Sequence, residues 1–305
     1  MTIDGIILVD KPSDFTSFDV VAKARGICGI RKMGHGGTLD PMATGVLPLF
    51  VGRATKAMEA MPIQDKRYTA GFKLGIATDT QDITGRVISE SEVTATKTDI
   101  QNILDNFRGN IMQTPPMYSA IWVDGQRLYD IAREGREVKR AKRPINILLL
   151  ELLSFDEETK EGVFDIKCSK GTYVRTIIDD IGKVLGCGAT MTSLRRTETM
   201  GYTLEHCYTL EQLQQLRDND NIIEAVQPIS TAFESYPKLY LSEKHTRLFL
   251  NGVRLARRQL RDVPNTERFT VWYKDKFLAT AYIDEKKLLV ADKLFTVIPP
   301  NENSK

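Results

Sequence analysis

Five apolar runs of strand length, in no regular alternation with helices, constrain this 305-residue chain most. They are Gly5 to Val9, Val46 to Val51, Tyr68 to Leu74, Ile147 to Leu153 and Val163 to Cys168, and none is long enough to cross a membrane as a helix. Between them come helical patterns with recognisable ends. Thr16 or Ser17 caps a helix with Asp19 in its first turn, running to about Gly26. Others are predicted from Ala54 to Met61, Thr98 to Phe107, Leu128 to Arg133 and Tyr173 to Leu185, the last two stopped by Gly135 and Gly186. A doubly wound sheet would repeat strand and helix in strict turn. This mixture predicts an α+β fold, with a mixed, largely antiparallel sheet flanked by helices. Past Glu234 the texture changes to short strand-like pieces: Lys238 to Leu241, Phe269 to Tyr273, Phe277 to Ile283 and Leu288 to Ala291. Two domains are therefore expected, 1–235 and a small β-rich module over 236–305, with a polar insertion from about Pro116 to Pro144.

Hydrophobic content of 42% and charged content of 27% are those of an ordinary globular protein rather than a disordered one. The apolar N-terminal stretch is interrupted by Asp4 and Asp10, so no signal peptide is expected and the location is read as cytoplasmic. Cys28, Cys168, Cys187 and Cys207 lack C-x-x-C spacing, which predicts reduced thiols rather than a zinc site or a disulfide set. Net charge is only +2, but its sign is segregated. Lys23, Arg25, Arg31, Lys32, Arg53 and Lys56 face Asp40 alone between Val20 and Met58. Seven basic residues stand against three acidic ones from Gly125 to Ile145, and ten against four from Pro237 to Lys276. A neutral body with three basic clusters points to a polyanion-binding face, and nucleic acid is the leading candidate.

One loop concentrates the chemistry, Lys32-Met-Gly-His-Gly-Gly-Thr-Leu-Asp-Pro41. Its glycines admit close approach of a ligand, and Pro41 restricts Asp40 to an extended backbone. The same residues also suit a plain surface turn. Other catalytic classes fail on their signatures. Gly34-His-Gly-Gly-Thr38 and Gly52-Arg-Ala-Thr-Lys56 lack the lysine–hydroxyl ending of a phosphate-binding loop, and no nucleophile elbow for a Ser-His-Asp hydrolase is present. His35, His206 and His245 stand far apart without paired carboxylates, so no metal centre is expected. Carboxylate catalysis on a bound base or sugar remains open.

Five segments, in this order, resemble the bacterial TruB family of tRNA pseudouridine synthases. They are Gly5-Ile-Ile-Leu-Val-Asp-Lys-Pro12, Gly34-His-Gly-Gly-Thr-Leu-Asp-Pro-Met-Ala-Thr-Gly-Val-Leu-Pro48, Lys66-Arg-Tyr-Thr69, Cys168-Ser-Lys-Gly-Thr-Tyr-Val-Arg-Thr176 and Leu194-Arg-Arg196. The resemblance covers about residues 3 to 235, and the module beyond resembles a PUA-type RNA-binding domain by position and texture. It implies a pseudouridine synthase fold and isomerisation of one uridine, at position 55 in the T loop of tRNA, with no metal or cofactor. Asp40 matches the catalytic aspartate that attacks the nucleotide, at sugar or base. Tyr68 matches the stacking tyrosine, and Arg175 the arginine that pairs with the aspartate. Tyr173 and Leu194 match residues lining the uracil pocket, with Lys11 supporting it. His35 matches a histidine that contacts the RNA near the extruded base, and Asp82 is a further supporting candidate that is also a natural turn former. Gly36 departs from the hydroxyl residue common in the family, which removes a loop hydrogen bond.

The insertion matches the family's thumb, and Lys139, Arg140, Lys142 and Arg143 are expected to hold RNA phosphates. The alternatives are a tRNA-folding chaperone of the same fold and a same-family synthase acting on another RNA. A chaperone has no use for Asp40, Tyr68 and Arg175 together, and the short C-terminal module with the lack of long basic tails favours a stand-alone enzyme; a monomer needing no protein partner is expected.

Overall fold

The computed structural model of the protein describes residues 3–123 and 125–296. The strands of its first part are β1 (Gly5–Lys11), β2 (Met33–His35), β3 (Thr44–Val51), β4 (Lys66–Leu74), β5 (Ile76–Thr78), β6 (Val87–Glu90), β7 (Gly109–Gln113), β8 (Trp122–Val123), β9 (Gln126–Arg127), β10 (Arg143–Asp156), β11 (Glu161–Cys168), β12 (Ala189–Thr199) and β13 (Tyr202–Thr203). Its helices are α1 (Ser17–Cys28), α2 (Lys97–Ile103), α3 (Leu128–Arg133), α4 (Val174–Val184) and α5 (Leu210–Asp218). A nine-stranded sheet runs β1-β3-β12-β4-β11-β10-β7, with β2 beside β3 and β13 beside β12. Among the described residues of this sheet, β3 and β12 make the one parallel pairing. The fold is α+β, as expected.

β1 is apolar without alternation because both of its faces are covered. Ile7 and Val9 pack with Leu47, Leu49, Val20 and Ala24, and α5 adds Leu210 and Leu213 to that side. Ile6 and Leu8 point the other way, toward Val46, Phe50 and Phe233. A separate core joins Phe72, Phe164 and Ile166 of the sheet to Ile177, Ile178 and Ile181 of α4. Each such side chain contributes roughly 1.5–3 kcal/mol when fully buried.

The start of α1 is set by Thr16, whose side chain accepts from the Asp19 N–H while Asp19 returns the bond to the Thr16 N–H. The helix outruns the expected stop at Gly26 and ends instead at Gly29, which takes the left-handed conformation with φ 68°. The helix expected over Ala54 to Met61 is a 3-10 turn over Gly52–Ala57. Asp4 explains the tight entry: it accepts the Arg53 N–H at 2.6 Å and Arg53 Nε at 2.8 Å, tying the segment to the start of β1.

The second part comprises α6 (Glu243–Leu250) and strands β14 (Lys238–Tyr240), β15 (Leu255–Ala256), β16 (Phe269–Tyr273), β17 (Lys276–Ile283) and β18 (Leu288–Leu294). They form a five-stranded sheet in the order β14-β16-β17-β18-β15. The strand pattern placed four of these strands; α6, α5, β2, β7 and β12 had no counterpart in the sequence reading. No described helix is long and apolar enough to cross a membrane.

Candidate active site

The loop from Gly36 to Ala43 joins the paired strands β2 and β3 and is pinned from three sides. From α1, Ser17 Oγ accepts the Leu39 N–H at 2.8 Å and donates to the Leu39 carbonyl at 3.2 Å. From β1, the wholly buried Lys11 donates its Nζ to the carbonyls of Pro12 at 2.8 Å and Pro41 at 3.0 Å. From β12, Arg196 is 0% exposed and donates to Val46 O at 2.8 Å, Gly37 O at 3.1 Å and Thr38 O at 3.4 Å. Leu39 and Ala43 are buried as anchors on either side of Asp40, and the Asp40 carbonyl accepts the Ala43 N–H at 3.0 Å. The backbone of Asp40 is thus fixed while its side chain stays 37% exposed. Gly45 is required where β3 meets β12: at φ +106° a Cβ would stand 2.2 Å from the Arg196 carbonyl.

Arg175, in the first turn of α4, lies between two carboxylates. Its Nε is 3.8 Å from Asp40 Oδ2 and its Nη1 is 3.6 Å from Asp82 Oδ2. The guanidinium is held chiefly by carbonyls, with Nη1 donating to Thr80 O at 3.2 Å and Nη2 to Tyr118 O. The fork expected to close on Asp40 is therefore occupied elsewhere, and Nε alone faces that carboxylate, with no hydrogen-bond partner of its own. Asp82 is at once a turn former and a neighbour of Arg175. Its Oδ1 accepts from Thr80 Oγ1 at 2.8 Å and Thr84 Oγ1 at 2.6 Å, which leaves Oδ2 toward the arginine. Bonds from Ile83 N–H to Met191 O and from Gln81 Nε2 to Asp179 tie this turn to β12 and α4.

These groups surround a cleft of about 760 Å³, whose wall includes Asp40, Tyr68, Tyr173, Arg175 and Leu194. Tyr68 on β4 pairs in register with Arg196, and burial pushes its phenol up to about 12 against the pull of that arginine, so it is neutral across the physiological range. Tyr173 is fixed through its backbone, since its N–H donates to Gln113 Oε1 at 2.9 Å and its carbonyl accepts Gln113 Nε2 at 3.0 Å. Lys11 lies behind the wall, where burial lowers its ammonium to about 8 although Asp14 and Asp40 pull it back up. His35 is not part of the wall; it is half-buried at the end of β2, with Nδ1 unpartnered and its pKa lowered by burial and then by Arg196.

The four basic residues expected to clamp phosphates divide into two kinds. Lys139 and Lys142 are exposed. Arg140 instead binds the insertion to its own root, donating to Pro115 O at 3.2 Å and to Glu137 at 2.7 Å. Arg143 donates to Gly171 O and lies 4.8 Å from the Tyr173 ring centre, on the cleft wall. Sequence reading missed Ser17 and Arg196, which pin the loop, and Lys66, Tyr129 and Arg133, which line the cleft. For Arg196 a signal existed, because a period of two from Leu194 puts it on an inward position.

Residues 25–174 match a family model described as the TruB family pseudouridylate synthase N-terminal domain, and residues 175–234 match the tRNA pseudouridylate synthase B C-terminal domain. The tRNA pseudouridine synthase B of Clostridium tetani is 41% identical over 278 residues, 90% of this chain and 94% of that one. Its counterpart from Pseudomonas fluorescens is 44% identical over 253 residues, 82% of each chain. Among solved structures, a chain of a Cbf5-Nop10-Gar1 complex superposes with a TM-score of 0.73 at 25% identity, covering 96% of this chain and 85% of that one. With a fold of that kind, and with relatives this similar along nearly its whole length, the chain belongs to the TruB family of pseudouridylate synthases.

Proposed function

We propose that the chain converts uridine to pseudouridine in tRNA, at position 55 of the T loop, with Asp40 as the nucleophile. The observation that carries this reading is the open carboxylate of Asp40 on a rigid loop, facing a cleft walled by Tyr68, Tyr173 and Leu194. That shape suits a flat base turned out of its stack, at a cost of a few kcal/mol offset by stacking and by contacts in the pocket. The relatives named tRNA pseudouridine synthase B support tRNA as the RNA.

In the reaction the N1–C1′ bond breaks, the uracil turns, and C5 bonds to C1′. The proton leaving C5 balances the one gained by N1, so no electrons are exchanged with a cofactor. Asp40 forms the transient bond to the nucleotide. Tyr68, buried and neutral, offers its ring to the base. Arg175 holds positive charge beside the carboxylate, and Asp82 on its other side helps keep the guanidinium in place. Lys11, Ser17 and Arg196 position the loop rather than touch the base.

Mapping pseudouridine in tRNA incubated with the purified protein and EDTA tests the reading. The product is expected at the T-loop uridine alone; product elsewhere, or none, refutes the site assignment. Asp40→Asn keeps the shape and removes the nucleophile. RNA binding is expected to persist while single-turnover rate falls by at least about 10⁴-fold. Activity within about tenfold of wild type would rule out Asp40 as nucleophile.

A further inference from the structure

The insertion between β7 and β10 carries a file of rings and guanidinium groups that the uridine chemistry leaves unused. Trp122 on β8 and Arg127 on β9 are direct cross-strand partners. The Arg127 guanidinium lies 5.3 Å from the Trp122 ring centre and 5.8 Å from that of Tyr129. Arg133, four residues along α3, covers the same Tyr129 ring at 5.4 Å. The order in space is therefore Trp122, Arg127, Tyr129, Arg133. Its inner end is fixed, because Leu128 and Ile131 form the buried side of α3 and both Tyr129 and Arg133 line the cleft. Its outer end is open, with Trp122 62% exposed.

Extending the tRNA reading above, we propose that Trp122 is the outer platform of a second base-binding site, stacking an unpaired nucleobase of the same RNA. Three features favour a nucleobase over an apolar protein surface. The ring lies against the Arg127 guanidinium, in a stretch with seven basic residues against four acidic from Trp122 to Ile145, which suits a polyanion. The file is continuous with the cleft, so an RNA whose uridine is seated there passes the insertion. Arginine and aromatic side chains in alternation are the surface on which unpaired bases stack, whatever their identity. The site would therefore hold the RNA without reading its sequence.

The test measures affinity in an Asp40→Asn background, so that turnover plays no part, using a T-arm RNA and a set of variants each with one abasic nucleotide in the loop. Trp122→Ala is expected to weaken binding roughly 5- to 100-fold, and Trp122→Phe to restore most of it, because a smaller ring still stacks. One abasic position should weaken the parent protein yet have no further effect on Trp122→Ala, which names the stacked base. Trp122→Ala binding within about twofold of the parent overturns the proposal. So does a loss that adds to every abasic loss alike, since the ring would then be packing against protein or backbone. Turnover of tRNA by the unsubstituted protein, run alongside, reads the proposed function separately.

Discussion

Arg175 shows what a single side chain must do here. Its two terminal nitrogens are spent on the carbonyls of Thr80 and Tyr118, which aim Nε at Asp40. A lysine keeps the charge but cannot hold that fork, so Arg175→Lys is expected to lower the single-turnover rate by about 10²-fold, and Arg175→Met by more. Equal rates for wild type and the lysine variant would show that geometry is unimportant. Lys11 makes a prediction in pH. Its ammonium is lowered from 10.5 to about 8 by burial, so between those values the folded chain binds fewer protons than the unfolded one. Stability from this group therefore rises with pH across that window, by at most about 3 kcal/mol. Activity moves the other way, because the charged clamp on Pro41 and the attraction to Asp40 fade above about pH 8. A descending limb in the single-turnover pH profile near 8, absent in Lys11→Met, is the expected result. Asp40, Tyr68, Tyr173, Arg175 and Leu194 were legible in the sequence because their motifs are distinctive, and the cleft gathers all five. Ser17 was not: a serine at the start of a helix reads as a cap, and its bonds to Leu39 depend on tertiary placement.

The elements divide in the same way. Strands buried on one or both faces, such as β1, β3 and β4, announce themselves by apolar content. β12 does not, although it lies between β3 and β4 in the middle of the sheet. Its fully buried residues include Thr190, Arg196 and Thr199, all 0% exposed, so a pattern that equates inside with apolar passes over it. Arg196 stays inside because carbonyls satisfy it, not because a carboxylate pairs with it. In the insertion, phosphate binding is open to test through its lysines. With Arg140 tied to Pro115 and Glu137, the free phosphate contacts fall to Lys139 and Lys142. Replacing both by glutamine should flatten the slope of log affinity against log salt by about one and a half units. An unchanged slope would place the phosphate contacts outside the insertion.

The two parts of the molecule, each built on one large sheet, meet in a cluster of aromatic rings. Phe233, at the end of the first part, lies 5.8 Å from Phe277 on β17 and 5.7 Å from Phe295, ring centre to ring centre. Lys56 adds a bond to Leu294 O at 3.1 Å. Phe233→Ala should cost about 3–5 kcal/mol and split urea unfolding into two transitions as the C-terminal sheet comes loose. A single transition of unaltered midpoint would show that the cluster does not couple them. The central place of β12 bears on how the molecule assembles. A chain made from its N-terminus has β1, β3 and β4 in hand long before residues 189–199 emerge, yet β3 and β4 meet only through β12. Contacts so distant along the chain form slowly, and until they form two apolar strands stand with open edges. Arg196 arrives on that same late strand, so the loop bearing Asp40 sets only when the sheet closes. A nascent chain therefore lacks a fixed Asp40 loop until residues 189–199 have joined the sheet.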